Sequence, residues 1–127
     1  ANQATIAGHV TVDDYAILGG LSAVHQFCRI GTLSMIGGMS AVEHDVVPYG
    51  LITGNRAHLL GLNIVGLRRA KYSNEIIKDF KNTFEKIFNS NEIKTESIAN
   101  NSTTNELTKK LIDFIKSDSS RGLCSFK

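Results

Sequence analysis

Cysteine and proline are scarce in this chain of 127 residues, as are long apolar runs and, over its first 55 residues, basic side chains. Two cysteines do not make a disulfide framework: Cys28 falls in a phase of small residues and Cys124 in the tail, a usage compatible with a reducing compartment. No stretch approaches the roughly eighteen continuous apolar residues of a membrane span. Residues 1–55 hold one base, Arg29, against four acids, Asp13, Asp14, Glu43 and Asp45, a balance of −3; the other thirteen bases and eight acids give +5. Most of those bases alternate with acids at helical spacing and read as a solvated helix surface, Arg68-Arg69-Ala70-Lys71 excepted, so no nucleic-acid partner is expected.

What the chain does have is a period. Ile6, Val12, Leu18, Val24, Ile30, Ile36 and Val42 recur every sixth residue, and two positions before each stands a small or β-branched one: Ala4, Val10, Ala16, Ser22, Cys28, Ser34 and Ser40. Neither a helix, near 3.6, nor a half-buried strand, at two, produces this. Short repeats that bury their apolar side chains only by stacking on the next coil mark a parallel β-helix of hexapeptide repeats. With three sides of six residues, positions eighteen apart are stacked at the inter-strand spacing of about 4.8 Å. His9, His25 and His44 then share one side on consecutive coils, and Gly20 and Gly38 are eclipsed beside it as a bare strip. Pro48 takes the aliphatic phase, cannot donate to a ladder and is expected to end the repeat, with Tyr49-Gly50 as a turn. The pattern is already in phase at Ala4, and a β-helix beginning in mid-pattern has an uncapped edge, so the chain is read as the C-terminal part of a longer protein.

After Lys71 the period becomes helical. Ile76, Ile77, Phe80, Phe84, Ile87 and Phe88 define one apolar face behind Ser73 as N-cap. A second helix is expected from about Asn105, with Leu107, Leu111, Phe114 and Ile115 on one face, Thr103 and Glu106 as a capping box, and Gly122 as its end. Residues Ile93–Ile98 suggest a short helix, Asn100–Thr104 a polar connection, and Leu59–Lys71 the start of the helical part. The expected organisation is a β-helix over residues 1–55 and a small α-helical domain over 56–127.

The stretches Gly8-His9-Val10-Thr11-Val12-Asp13-Asp14, Gly19 to Cys28 with its His25-Gln26-Phe27-Cys28, Gly54-Asn55, Gly61-Leu62-Asn63 and Gly66-Leu67-Arg68-Arg69 closely resemble the acyl-[acyl-carrier-protein]–UDP-N-acetylglucosamine O-acyltransferases, which begin lipid A synthesis. The resemblance implies a cytoplasmic homotrimer of left-handed parallel β-helices with a C-terminal helical domain; the left hand comes from the resemblance alone, since crossovers are usually right-handed. It implies no cofactor, and transfer of a 3-hydroxyacyl group from acyl carrier protein to the sugar 3-hydroxyl. The family's general-base His, with a pKa suited to neutral pH, falls on a coil upstream of residue 1, as does its orienting carboxylate, so this chain alone is expected to be inactive. Carried over residue by residue, Gly8 supplies an N–H to the thioester oxyanion, His9 and His25 line the sugar cleft, and Gln26 bonds the nucleotide-sugar. Asn63 and Arg69 contact the nucleotide and its phosphates. Gly20 and Gly38 wall the acyl groove, with Gly38 as the chain-length ruler. Two positions depart from the family: Val65 replaces an acid near the nucleotide, and Ala70 replaces a second arginine, with Lys71 beside it.

Three other readings stand beside this one. The later UDP-3-O-acylglucosamine N-acyltransferase takes the same kinds of substrate, and the residues do not decide between a 3-hydroxyl and a 3-amino acceptor, although nucleotide contacts in the helical tail favour the O-acyltransferase. A metal-binding trimer would use His9, His25 and His44, as in zinc carbonic anhydrases of related fold, but these hold different positions within their hexads and no carboxylate cluster joins them. A purely structural hexapeptide-repeat trimer is the third.

Overall fold

The computed structural model describes residues 1–89 and 105–127. Seven two-residue strands follow one another at six-residue intervals: β1 Thr5–Ile6, β2 Thr11–Val12, β3 Ile17–Leu18, β4 Ala23–Val24, β5 Arg29–Ile30, β6 Met35–Ile36 and β7 Ala41–Val42. They form three parallel sheets, one per side of a prism, with Ile6 opposite Val24, Val12 opposite Ile30 and Leu18 opposite Ile36. Each partner is eighteen residues on, the stacking that the period predicts. The aliphatic phase points inward: Val24, Ile30, Ile36 and Val42 are buried, each worth about 1.5–3 kcal/mol. The small phase lies at the inner corner, where the Ser22 and Ser34 hydroxyls fold back onto the Gly19 and Gly31 carbonyls, both at 2.7 Å, so no buried hydroxyl goes unpaired there.

The first seven corners each turn through a left-handed residue, none of them glycine: Gln3, His9, Tyr15, Leu21, Phe27, Leu33 and Met39 have φ of 53–66°. Such a conformation costs on the order of 1–3 kcal/mol for a residue with a side chain and persists where its surroundings over-determine it. The determinant here is a ladder between corners, in which Leu21, Phe27, Leu33 and Met39 donate to the carbonyls of Asn2, Gly8, Asp14 and Gly20 at 3.2, 3.2, 3.1 and 2.9 Å.

Pro48 does not end the β-helix. It shortens one coil by two residues: Val46 pairs with Ile30, and strand β8, Gly50–Thr53, continues the third sheet with Leu51 opposite Met35 and Ile52 opposite Ile36. The proline's missing N–H is accommodated by close approach, since a Cβ on Gly31 would lie 2.4 Å from the Pro48 nitrogen. Leu59–Lys71 also differs from expectation. Its first part is a strand, β9 His58–Leu62, antiparallel to β8 with a bulge at Leu51/Ile52; only Ile64–Arg69 is helical, α1. Pairing with an open sheet edge outweighs local helix propensity here.

Helix α2, Asn74–Phe88, starts at Ser73, whose Oγ accepts from the Ile76 N–H, and buries Ile77, Phe80, Phe84, Ile87 and Phe88. Helix α3, Glu106–Lys116, is capped by Asn105, whose side chain accepts from the Leu107 N–H, which makes Glu106 the first helical residue. Thr103, the segment Ile93–Ile98 and the connection Asn100–Thr104 lie outside the described residues. Gly122 does not end α3, which closes at Ser117; it sits five residues on, at φ 71°, in a C-terminal strap. That strap runs back along the last coil, Leu123 bridging to Asp45 and Phe126 to Leu59. Phe126 meets Phe84 and Phe88 edge-on, both at 6.3 Å, and Phe80 meets Tyr49 at 5.4 Å, so the helices pack on the coil end through aromatic contacts.

Candidate active site

Two stacked corners between the β1-β4-β7 and β2-β5 sheets make the histidine edge. Gly8 and His9 form the lower corner, His25 to Cys28 the upper. The Phe27 N–H donates to the Gly8 carbonyl at 3.2 Å, and the His9 ring stacks on the Phe27 ring at 5.0 Å and 9°. A Cβ on Gly8 would come 3.8 Å from Gln26 Nε2, so the Gln26 amide lies next to Gly8. All these residues but Cys28 are exposed. Among the described residues no acceptor takes the Gly8 N–H. An exposed, unpaired backbone donor beside a side-chain amide and two imidazoles can bind a developing oxyanion and a polar acceptor.

The next edge of the prism carries Gly20 and Gly38. They are stacked as the spacing predicts: a Cβ on Gly38 would sit 3.3 Å from the Gly20 carbonyl oxygen. Between the glycine edge and the histidine edge lies one face, the β1-β4-β7 sheet, whose outward residues are Thr5, Ala23 and Ala41. The other two faces present Thr11 and Arg29, or Ile17, Met35 and Leu51, in the same outward phase. The small outward residues Ala23 and Ala41 belong to the candidate site and were not singled out from sequence. Their signal was the residue just before the aliphatic phase, compared side by side.

Asn63 and Arg69 are not beside the histidines. They lie on the third sheet's side, lining a groove of about 1310 Å³ with Tyr15, Leu33, Tyr49 and Tyr72. Asn63 is buried and its amide is engaged: Oδ1 accepts from the Gly66 N–H at 3.1 Å as the cap of α1, and Nδ2 donates to the Leu33 carbonyl at 2.9 Å. Gly66 makes room for this, because a Cβ there would fall 2.3 Å from Asn63 Nδ2. Gly66→Ala is therefore expected to displace the amide and remove the cap, lowering stability by about 1–2 kcal/mol in thermal unfolding. Arg69 is exposed on α1 and makes no ion pair among the described residues; Val65 is exposed beside it, and Ala70 closes the helix.

His44 is exposed, and its Nδ1 donates to the Arg121 carbonyl at 2.7 Å, a bond from the strap. With the His9 ring on Phe27, the three histidines do not converge, and the described residues hold no group of three potential metal ligands. Deeper in the same coil, the fully buried Asp45 takes the Arg29 backbone N–H and Nε, each at 2.9 Å, and the Ser119 hydroxyl. The Arg29 guanidinium also lies 4.1 Å from the Phe114 ring centroid. Both cysteines are buried and free; burial pushes the Cys124 thiol up to about 12, which keeps it protonated and unreactive. No helix among the described residues is long and apolar enough to cross a membrane.

A family model described as "Udp N-acetylglucosamine O-acyltransferase; Domain 2" matches residues 45–124. Over 128 aligned residues, 98% of this chain, the chain is 43% identical to the acyl-[acyl-carrier-protein]–UDP-N-acetylglucosamine O-acyltransferase of Sinorhizobium fredii and covers 47% of it. Over 88 residues, 69% of this chain, it is 51% identical to the enzyme of that name from Aliarcobacter butzleri, covering 34% of it. Among solved structures, the UDP-N-acetylglucosamine acyltransferase from Campylobacter jejuni superimposes with a TM-score of 0.91 at 35% identity, over 99% of this chain and 50% of that one. The UDP-N-acetylglucosamine O-acyltransferase of Moraxella catarrhalis does so with 0.89 at 36%, over 97% and 49%. The chain thus spans about half the length of these solved structures and less of the relatives matched by sequence. Its fold is theirs, a left-handed parallel β-helix followed by helices.

Proposed function

Because the chain belongs to the UDP-N-acetylglucosamine O-acyltransferase family, we propose that it supplies part of an active site that moves a 3-hydroxyacyl group from acyl carrier protein to the 3-hydroxyl of UDP-N-acetylglucosamine, the first step of lipid A synthesis. The reading rests on the histidine edge, where the unpaired Gly8 N–H stands beside Gln26, His9 and His25. In the reaction the sugar oxygen attacks the thioester carbonyl, the C–O bond forms as the hydroxyl proton passes to a general base, and the C–S bond then breaks to release the carrier thiol. None of the described residues is assigned as that base, in a chain that spans about half of the solved relatives it matches. Gly8 donates to the oxyanion, where a hydrogen bond gains most as charge develops; His9, His25 and Gln26 hold the sugar, and the acyl chain runs toward Gly20 and Gly38.

Asn63 and Arg69 serve the nucleotide, Arg69 directly and Asn63, which is buried, through its cap on α1. They lie on a different edge from the histidines, which favours a site shared between neighbouring subunits of a homotrimer, where one chain's histidine edge faces the next chain's α1. The free thiols Cys28 and Cys124 suit the reducing cytoplasm, and the chain divides functionally into the coils of residues 1–55 and the segment 56–127, which adds β9 to the last sheet and carries the helices. In the full-length enzyme Arg69→Ala is expected to raise the Michaelis constant for the UDP-sugar about tenfold, the low end of a charge-assisted hydrogen bond at roughly 1.5 kcal/mol, because Arg69 is exposed. Steady-state kinetics checks this. An unchanged constant with only a lowered melting temperature would remove Arg69 from the site.

A further inference from the structure

The C-terminal strap reaches the histidine edge from behind. Its anchor is Ser119, whose Oγ donates to Asp45 and accepts from the Arg121 and Gly122 N–H groups at 3.2 and 3.1 Å. Asp45 and the strap then exchange backbone bonds, its N–H donating to the Gly122 carbonyl at 2.7 Å and its carbonyl accepting from Cys124 at 2.8 Å. Held in this way, Arg121 grips the coil segment Glu43-His44 at two points: its Nε donates to the Glu43 carbonyl at 3.0 Å, and its own carbonyl accepts from His44 Nδ1. That segment is the shelf stacked over the His25 corner. The His25 N–H donates to Val42 O at 2.8 Å, and the Cys28 thiol, at the other end of the same corner, points to the same oxygen. The Arg121 guanidinium also lies beside Cys28: burial pushes that thiol up, and the arginine works against the rise.

We propose that Arg121 is a positioning residue for the reaction: it fixes the Val42-Glu43-His44 shelf, and through it the orientation of His25 and Gln26 toward the sugar. Five- and six-atom side chains on a solvent-exposed corner have many rotamers, and a displacement of about 1 Å at a positioned group costs on the order of a hundredfold in rate. A strap tied to the shelf from both sides fixes the backbone from which His25 and Gln26 project, and so where those side chains start. The inference rests on the acyltransferase reading of this corner.

The test compares three variants of the full-length enzyme. Arg121→Ala is expected to lower kcat/KM for the UDP-sugar at least tenfold, measured well below its melting temperature, and to shift the His25 ring and Gln26 amide resonances. Arg121→Lys keeps one donor for the Glu43 carbonyl and is expected to recover part of the rate. Phe126→Ala loosens the strap at its far end, on the Phe84 and Phe88 side; it should lower the melting temperature yet leave kcat/KM within twofold and the His25 resonances in place. Equal losses in Arg121→Ala and Phe126→Ala, or unmoved His25 resonances in Arg121→Ala, would overturn the proposal. Should Arg121→Ala fail to fold, Arg121→Lys carries the test, a full parental rate and spectrum counting against it. If the parent transfers no acyl group, the acyltransferase reading fails, while the His25 resonances still decide whether Arg121 holds the corner.

Discussion

Replacing Gly38 by methionine in the full-length enzyme is expected to turn donor preference toward short acyl chains by about a hundredfold. Gly38 sits directly over Gly20, on the edge that borders the small outward residues Thr5, Ala23 and Ala41. Space above this face is open because nothing larger than a threonine stands on it. A methionine side chain laid along the strip occupies the length of about four methylenes, and at about 0.8 kcal/mol per buried CH₂ this is roughly 3 kcal/mol lost by long donors only. Gly38 is exposed, and a Cβ there would lie 3.3 Å from the Gly20 carbonyl oxygen, a tight contact that the corner must relieve by a few tenths of an ångström. Competing short and long 3-hydroxyacyl donors on acyl carrier protein give the ratio directly. A ratio equal to the parent's would mean that the paired glycines serve corner geometry and that the acyl chain lies elsewhere.

Asp45→Ala is expected to cost about 3–5 kcal/mol in chemical unfolding, a large share of a typical domain's stability. Asp45 is fully buried and joins three elements: β5 through the Arg29 backbone and guanidinium, the last coil through its own backbone, and the strap through Ser119. Truncating it leaves a largely buried guanidinium without its carboxylate and the Ser119 hydroxyl without its acceptor, which is why removing one partner costs more than the pair itself contributes. The strap should release with it, so protease nicking after Arg121 should rise in parallel. A loss under about 1 kcal/mol would show that Arg29 finds another partner, Phe114 being the one at hand.

Most of the β-helix can be read from one column of residues, because seven aliphatics in a single phase leave one way to stack, and the eighteen-residue register then places His9 under Phe27 and Gly20 under Gly38. Reading stops at Pro48 for a physical reason: the coil there loses two residues, so the inward phase moves from position 48 to Val46 and resumes at Ile52. Those two aliphatics carried the signal, hidden by a proline in the old phase. The same shift conceals the Arg29–Asp45 pair, sixteen residues apart, which the charge count records only as one lone base and one of four acids. Leu59, Leu60 and Leu62 look helical in isolation and become a strand because β8 offers an edge. Gly122 has the residue type of a helix stop but the conformation of a strap turn, and neither Ser119 nor Arg121 has a local pattern that announces contacts to residues more than seventy positions away.

We propose that the full-length enzyme makes an ester at the sugar 3-hydroxyl with a site of which the Gly8–His9 and His25–Gln26 corners are part. To test this, the full-length enzyme is incubated with 3-hydroxyacyl carrier protein and UDP-N-acetylglucosamine, and the product, followed by mass spectrometry, is treated with alkaline hydroxylamine, which cleaves oxygen esters and spares amides. The expected product is a UDP-sugar heavier by one hydroxyacyl group that hydroxylamine returns to the starting mass, with formation abolished or reduced when Gly8 is replaced by proline, which has no N–H. A product that resists hydroxylamine, as an amide would, or undiminished turnover in Gly8→Pro, would contradict it.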